Sequence, residues 1–293
     1  MNAPEGNMTF VPKQALAPTP HLYDQLVADS MQSLATATAT VAELFKKCPI
    51  KPKHHLLDLG CGTGAGTFAF VAAAGKNIAS KIDIDGIDID PAVLQVYQQK
   101  LDSERWLAKA ILGDANDLKD IKDATYDASL ATAMVFVLPN NAVPAIEQMY
   151  RTLKPTGSAA LNSWAYVPNM GPLRAASRAT RPADFPEIRG GMDSWEDGDF
   201  LQARIKEGGF KDVSLVQREV FAHTTTDIYH QANMLWSFIG GTTPLGWIPS
   251  DEERWDEAIE IIVAELRKTD GYQQLPGDKL RLKFIAHVAV ATK

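Results

Sequence analysis

The sequence predicts an α/β fold built on a doubly wound parallel sheet. Three observations carry this. From His55 to Trp164, short apolar runs alternate with stretches of helical periodicity. Most of the runs are predominantly apolar, as strands covered on both faces tend to be. The early runs also end on glycine or an acid just where a helical stretch begins. With 293 residues, 45% of them hydrophobic and 22% charged, the chain has a globular composition and enough length to bury a core without covalent staples.

The elements follow in order. Residues 1–20 hold Pro4, Pro12, Pro18 and Pro20 and little periodicity, so an arm is expected. A helix is expected from Tyr23 to Lys47, where Leu22, Leu26, Met31, Leu34, Val41, Leu44 and Phe45 recur at helical spacing before Pro49 and Pro52. His55–Leu59 reads as a buried strand stopped at Gly60, and the Ala- and Phe-rich stretch 64–74 as a helix ended by Gly75. Ile82–Ile89 is the second strand. Asp90 then offers an N-cap and Pro91 a first-turn proline for a helix running to about Lys109. Strands at Ala110–Leu112 and Tyr126–Ala133, a helix at Asn141–Leu153, a turn at 154–157 and a strand at Ser158–Trp164 complete the regular part.

The regularity then breaks. Residues 166–192, with four prolines and several arginines, read as an insertion. Trp195–Lys206 reads as a helix closed by Gly208 and Gly209, Val213–Phe221 as a strand, and Thr226–Ile239 as a helical insertion closed by Gly240 and Gly241. Asp251–Leu266 reads as a helix and Phe284–Thr292 as a final strand. The expected organisation is a single domain: an N-terminal arm and lid helix at 1–50, a cofactor-binding core at 51–165, lid insertions at 166–194 and 223–250, and the remainder of the core at 195–222 and 251–293.

A net charge of −7 argues against non-specific nucleic-acid binding and against a polybasic membrane anchor. Cys48 and Cys61 make neither a disulfide framework nor a zinc site, and fit a reducing compartment. No secretory signal is evident and no apolar run approaches a membrane span, so the expectation is a cytoplasmic protein without membrane or nucleic-acid partners.

The sharpest feature is the glycine-rich turn after the first strand, LLDLGCGTG at 56–64. Glycines there let the backbone approach a ligand closely, and the next helix directs unpaired N–H groups at the same place. Such a turn also serves nicotinamide and flavin enzymes. The flanks discriminate. Asp58, Asp88 and Asp114 sit at or near successive strand ends, which suits a nucleoside carrying positive charge and repels a pyrophosphate. Asp83, Asp85 and Asp90 read as solvated. Cys61 reads as a small residue permitting close approach rather than a nucleophile.

The set LLDLGCGTG, GIDID at 86–90, GDA at 113–115, YDASLATA at 126–133 and RTLKPTG at 151–157 resembles the class I S-adenosylmethionine-dependent methyltransferases. The resemblance covers roughly residues 54–165. It implies a Rossmann-like, seven-stranded sheet with helices on both faces, an antiparallel last strand and helical lid insertions. It implies that Asp58, Gly60, Cys61 and Gly62 contact the methionine part of S-adenosylmethionine. Asp88 would then hold the ribose hydroxyls, with Ile89 stacked on adenine. Asp114 would accept from the adenine amine beside Ala115, and the Thr132 backbone would meet the methionyl end. Tyr23 is a further candidate for the cofactor carboxylate.

The implied reaction is in-line methyl transfer to an O, N or S atom of a small-molecule acceptor, in a layout resembling quinone and secondary-metabolite enzymes. Strand four lacks the Asn/Asp-Pro-Pro-aromatic signature of enzymes that methylate base or Gln amines, and no metal cluster of the catechol type is apparent. Candidate acceptor-binding residues are His21, Tyr229, Asn233 and Trp236; candidate bases are His230 and His223. Arg174, Arg178 and Arg181 read either as a clamp for an acidic acceptor or as a solvated helix face. A methyltransferase fold that binds the cofactor without transferring methyl, as a cyclase or an interaction partner, is the alternative reading, and a nicotinamide oxidoreductase a third.

Overall fold

The computed structural model describes residues 10–23, 25–26, 32–224 and 226–293. The chain divides into two compact units. The sheet unit takes its residues from Val27–Val167, Met192–Ala222 and Phe284–Lys293; the helical unit takes its described residues from Met1–Leu26, Pro168–Gly191 and His223–Lys283.

In chain order, a short α1 (Pro20–Tyr23) and α2 (Gln32–Lys47) precede β1 (His55–Leu59) and α3 (Ala65–Ala74). Of the helix expected from Tyr23, the described stretch Gln32–Lys47 is helical; residues 24 and 27–31, Met31 among them, lie outside the described residues. A short α4 (Lys76–Ala79) leads into β2 (Asp83–Asp88) and α5 (Pro91–Glu104). Asp90 caps α5 as expected, accepting from the Ala92 and Val93 N–H groups. The helix stops about five residues earlier than expected because Arg105 turns left-handed at φ 54°, freeing Ala108–Leu112 to pair as β3. Next come β4 (Tyr126–Ala131), α6 (Val143–Thr152) and β5 (Leu153–Tyr166). The expected turn at 154–157 is an irregularity inside β5, where pairing with β4 jumps from Leu153 to Ser158.

The insertion 166–192 contains a helix, α7 (Met170–Thr180). It is followed by α8 (Gly198–Glu207), β6 (Asp212–His223), α9 (Ile228–Ile239), α10 (Pro249–Glu253) and α11 (Trp255–Leu266). The single helix expected over 251–266 is two, broken at Arg254. The two-residue β7 (Gln273–Gln274) and β8 (Leu280–Thr292) close the chain order.

The main sheet runs β3-β2-β1-β4-β5-β8-β6, with β7 pairing β8 off this path. The pairs β1–β2, β1–β4, β2–β3 and β4–β5 are parallel, and β5–β8 is antiparallel, as expected for the last strand. Alternation along each strand sends Leu57 and Leu59 into one core with Ile146, Leu201 and Ile205, and Leu56 into another with Val41, Leu44 and Phe70. Asp58 lies on the same face as Leu56, toward α3. Crossovers that leave the sheet between neighbouring parallel strands place the carboxyl ends of β1, β2, β3 and β4 side by side.

In the helical unit, α11 packs on α7 and α9, so residues 251–266 group with segments 168–191 and 223–250 and not with the sheet unit. Its centre is Arg181, with no exposed side-chain surface. Arg181 donates from Nε to Asp251 Oδ1 at 2.7 Å, and from Nη2 to Asp251 Oδ2 at 3.2 Å and to the Gly240 carbonyl at 2.9 Å. The rings of Phe185, Trp236 and Trp247 surround its guanidinium at 4.6, 4.8 and 5.5 Å. Arg181 is therefore neither a substrate clamp nor part of a solvated face. Arg174 and Arg178 approach Glu187 instead. No helix among the described residues is long and apolar enough to cross a membrane.

Candidate functional site

The site lies wholly within the sheet unit, at the carboxyl ends of β1 to β4. The loop from Gly60 to Gly64 leaves β1 and opens α3. Gly64 has φ 101°, and a Cβ there would stand 2.8 Å from the Tyr97 ring, so no other residue fits. Gly62 has φ 54° and nothing within 4 Å of where a Cβ would be: its open side is available for a ligand pressed against backbone.

Asp88, at the end of β2, organises this loop. Its Oδ2 accepts the Gly62 N–H at 3.0 Å and its Oδ1 accepts the Asp90 N–H at 3.0 Å. The carboxylate is half-buried and bridges the glycine loop to the start of α5, with lone pairs left for further donors. The Cys61 N–H donates to the Ile87 carbonyl at 3.0 Å, completing the tie. Beside it, Ile89 is 68% exposed, a large apolar side chain held in the open at a strand end. Asp114 is exposed and accepts the Asn116 N–H and Nδ2 at 2.9 Å, fixing its own turn, and Ala115 packs beneath. The structure thus brings Gly60, Cys61, Gly62, Asp88, Ile89, Asp114, Ala115 and Thr132 to one edge of the sheet.

Asp58 differs from expectation. It is completely buried, so it offers no surface for contact and could influence a ligand only through its charge. Its Oδ2 accepts from Thr67 Oγ1 at 2.9 Å, and its Oδ1 has no hydrogen-bond partner among the described residues. Burial pushes its carboxyl up to about 7, Thr67 pulls against this, and the charge of Asp88 adds to the rise. A buried acid short of one partner fits a cationic ligand and would oppose an anionic one. Burial pushes the Cys61 thiol up as well, which keeps it protonated and unreactive.

At the end of β4, Ala133 turns left-handed at φ 54°, and its N–H donates to Asn162 Oδ1 at 2.9 Å. Asn162, on β5 and fully buried, shapes the turn that displays the half-buried Thr132. Sequence reasoning missed it, because a lone Asn in a strand carries no local signal. It also missed the partners of Asp85. That side chain is buried, not solvated: Tyr126 donates to Oδ2 at 2.9 Å and His55 Nε2 lies 2.9 Å away.

The remaining candidates, Tyr23, His21, Tyr229, Asn233, Trp236, His223 and His230, lie in the helical unit. Tyr23 packs its ring 5.9 Å from Phe238, and His21 is exposed. On α9, Tyr229 is 46% exposed with its hydroxyl 3.4 Å from Glu260, and Asn233 Oδ1 accepts from the Trp255 indole at 3.2 Å. Trp236 is fully buried, against Arg181 and Trp247, so it is a packing residue without surface for an acceptor. His223 is exposed and His230 half-buried.

Comparison with known proteins agrees with this geometry. Residues 56–157 match a family described as a methyltransferase domain. The demethylmenaquinone methyltransferase of Lactobacillus johnsonii is 30% identical over 146 residues, 48% of this chain and 55% of that protein. The 27-O-demethylrifamycin SV methyltransferase of Amycolatopsis mediterranei is 27% identical over 187 residues, 64% of this chain and 65% of that protein. The chain thus spans between about half and two thirds of the length of these curated relatives. The crystal structure of the YcgJ protein from Bacillus subtilis superposes with a TM-score of 0.55, covering 87% of this chain and 98% of that one at 15% identity, a likeness of fold alone. Over residues 56–157, with the strand order and glycine loop described above, the chain is similar to the methyltransferase-domain family and carries the sheet expected of class I S-adenosylmethionine-dependent methyltransferases.

Proposed function

We propose that the protein transfers a methyl group from S-adenosylmethionine to an O, N or S atom of a small-molecule acceptor. The observation that carries this is the Asp88 carboxylate, tied to the Gly62 N–H at 3.0 Å beside open space over Gly62. A carboxylate so fixed accepts hydrogen bonds from a vicinal diol, and Ile89 offers an apolar platform for a base next to it. Asp114 continues the same edge as an acceptor for an exocyclic amine. The cofactor supplies a methyl on a positively charged sulfur, whose leaving group needs no further activation. The chain's own part is alignment: Gly60, Gly62 and the turn after β4 hold backbone against the ligand, and a group held near attack distance contributes ~7–11 kcal/mol of barrier reduction. The buried charge of Asp58 favours the cationic end over a neutral one. Small-molecule acceptors are supported by the names of the relatives above, which act on a quinone precursor and a rifamycin. His21, Tyr229 and Asn233 are the proposed acceptor contacts, and His230 and His223 the proposed bases.

Two measurements test this. Calorimetry compares S-adenosylmethionine with a nicotinamide dinucleotide; tighter binding of the dinucleotide overturns the reading. Incubation with methyl-labelled cofactor and a panel of phenols, hydroquinones, amines and thiols then reports transfer. Labelled product is expected, and cofactor binding without transfer to any of them points to a binding-only protein.

A further inference from the structure

We propose that Thr67 and Tyr97 are positioning residues of the cofactor site: a buried chain of hydroxyls, from Tyr97 through Thr67 to Asp58, keeps the Asp58 carboxylate ionised toward a cationic cofactor. This rests on the methyltransferase reading above.

The geometry is specific. Tyr97 Oη lies 2.7 Å from Thr67 Oγ1, which lies 2.9 Å from Asp58 Oδ2, and all three side chains are completely buried. The direction of the chain follows from counting protons. An ionised carboxylate can only accept, so Thr67 gives its single proton to Asp58, and the Tyr97 proton must then go to Thr67. Each donor is polarised by the next, and a hydrogen bond to a charged acceptor is the strong kind.

The ring of Tyr97 reaches this place because two glycines make room for it. A Cβ on Gly64, in the ligand loop, or on Gly86, in β2, would overlap the ring. The same ring therefore fills the space under the glycine loop and delivers the hydroxyl. Gly66, in the first turn of α3, likewise abuts the Asp58 carboxylate, so β1 and α3 close over the acid.

Among the described residues, the charged and titratable groups that act on Asp58 or its relay are Asp88 across the loop, Cys61 beside it, Tyr97 on α5 and Asp85 through Tyr97, with no Lys, Arg or His. Burial and Asp88 both favour the protonated acid; the Thr67 hydroxyl, joined by the Thr67 backbone N–H, opposes them. Removing the hydroxyl should shift Asp58 toward its neutral form at physiological pH.

The test compares S-adenosylmethionine with 5′-methylthioadenosine, which shares the nucleoside but carries neither the positive sulfur nor the amino acid. Dissociation constants are measured by calorimetry from about pH 5.5 to 8. In the wild type, S-adenosylmethionine should tighten as pH rises through about 7, while 5′-methylthioadenosine stays flat. Thr67→Val should move that midpoint up by about one unit and weaken S-adenosylmethionine about five- to tenfold at pH 7, sparing 5′-methylthioadenosine. Tyr97→Phe should shift it the same way by less, and Thr67→Ser should restore the wild-type profile. Equal weakening of both ligands in Thr67→Val, or an unmoved midpoint in it and in Tyr97→Phe, overturns the inference and leaves a purely structural tie. A wild type that binds neither ligand overturns the methyltransferase reading itself, and this inference with it.

Discussion

Replacing Arg181 with Met tests how the helical unit is held together. The substitution keeps an unbranched chain of similar length and removes the guanidinium. What is lost is two hydrogen bonds to Asp251, one to the Gly240 carbonyl and one to Ser177 Oγ at 3.2 Å, together with the contacts to three aromatic rings. Left behind is the Asp251 carboxylate, 1% exposed, with the Ile248 N–H at 2.9 Å among its remaining donors. Breaking a buried pair from one side costs about 3–5 kcal/mol, most of it the stranded charge. Adding Asp251→Leu removes the charge and should recover most of the loss, since an apolar replacement of a buried pair is often neutral or better. The assay is urea unfolding followed by tryptophan fluorescence, to which Trp236 and Trp247 beside the guanidinium contribute. A single variant within about 1 kcal/mol of wild type, or a double variant no more stable than the single, would refute the claim that the pair is coupled and the charge stranded.

Two further expectations concern the sheet unit. Asp88→Ala should weaken S-adenosylhomocysteine by about 1.5–3 kcal/mol, roughly 10- to 150-fold, because it removes a charged acceptor and unties Gly62; an unchanged dissociation constant in calorimetry means the ribose sits elsewhere. Asp85 titrates below its ordinary 3.8: burial alone would raise it, but His55 and Tyr126 outweigh burial. A depressed acid contributes stability above its unfolded pKa and loses it as pH falls through the folded value. His55→Ala and Tyr126→Phe should therefore each move the acid-unfolding midpoint upward, measured by circular dichroism from about pH 5 to 2; midpoints that stay put remove Asp85 from the acid response.

Much of the fold was legible because it is written locally. Predominantly apolar strand runs, Asp90 and Pro91 at a helix start, and glycines after β1 are signals within a few positions of one another. The edge proposed for the cofactor was legible for the same reason, since Gly62, Asp88, Ile89 and Asp114 each sit at or just after a strand end. What escaped reading was made by distance. Asp251 lies 70 positions from Arg181, Tyr97 lies 30 from Thr67, and Asp85 lies 41 from Tyr126. Each is a polar side chain whose role depends on a partner that no periodicity announces. Trp236 and Asp58 were misjudged alike: residue type suggested contact with a ligand, and burial forbids it.

The antiparallel seat of β8 has a kinetic side. Ser158 on β5 meets Thr292 on β8, 134 positions further along. Until that partner arrives, one flank of β5 has no ladder to join, and a loop of that size must close before its pairing repays the entropy. A nascent or refolding chain therefore carries an open β edge through most of its assembly, the state in which neighbouring copies find each other. Refolding yield should fall with protein concentration even when the finished molecule is stable.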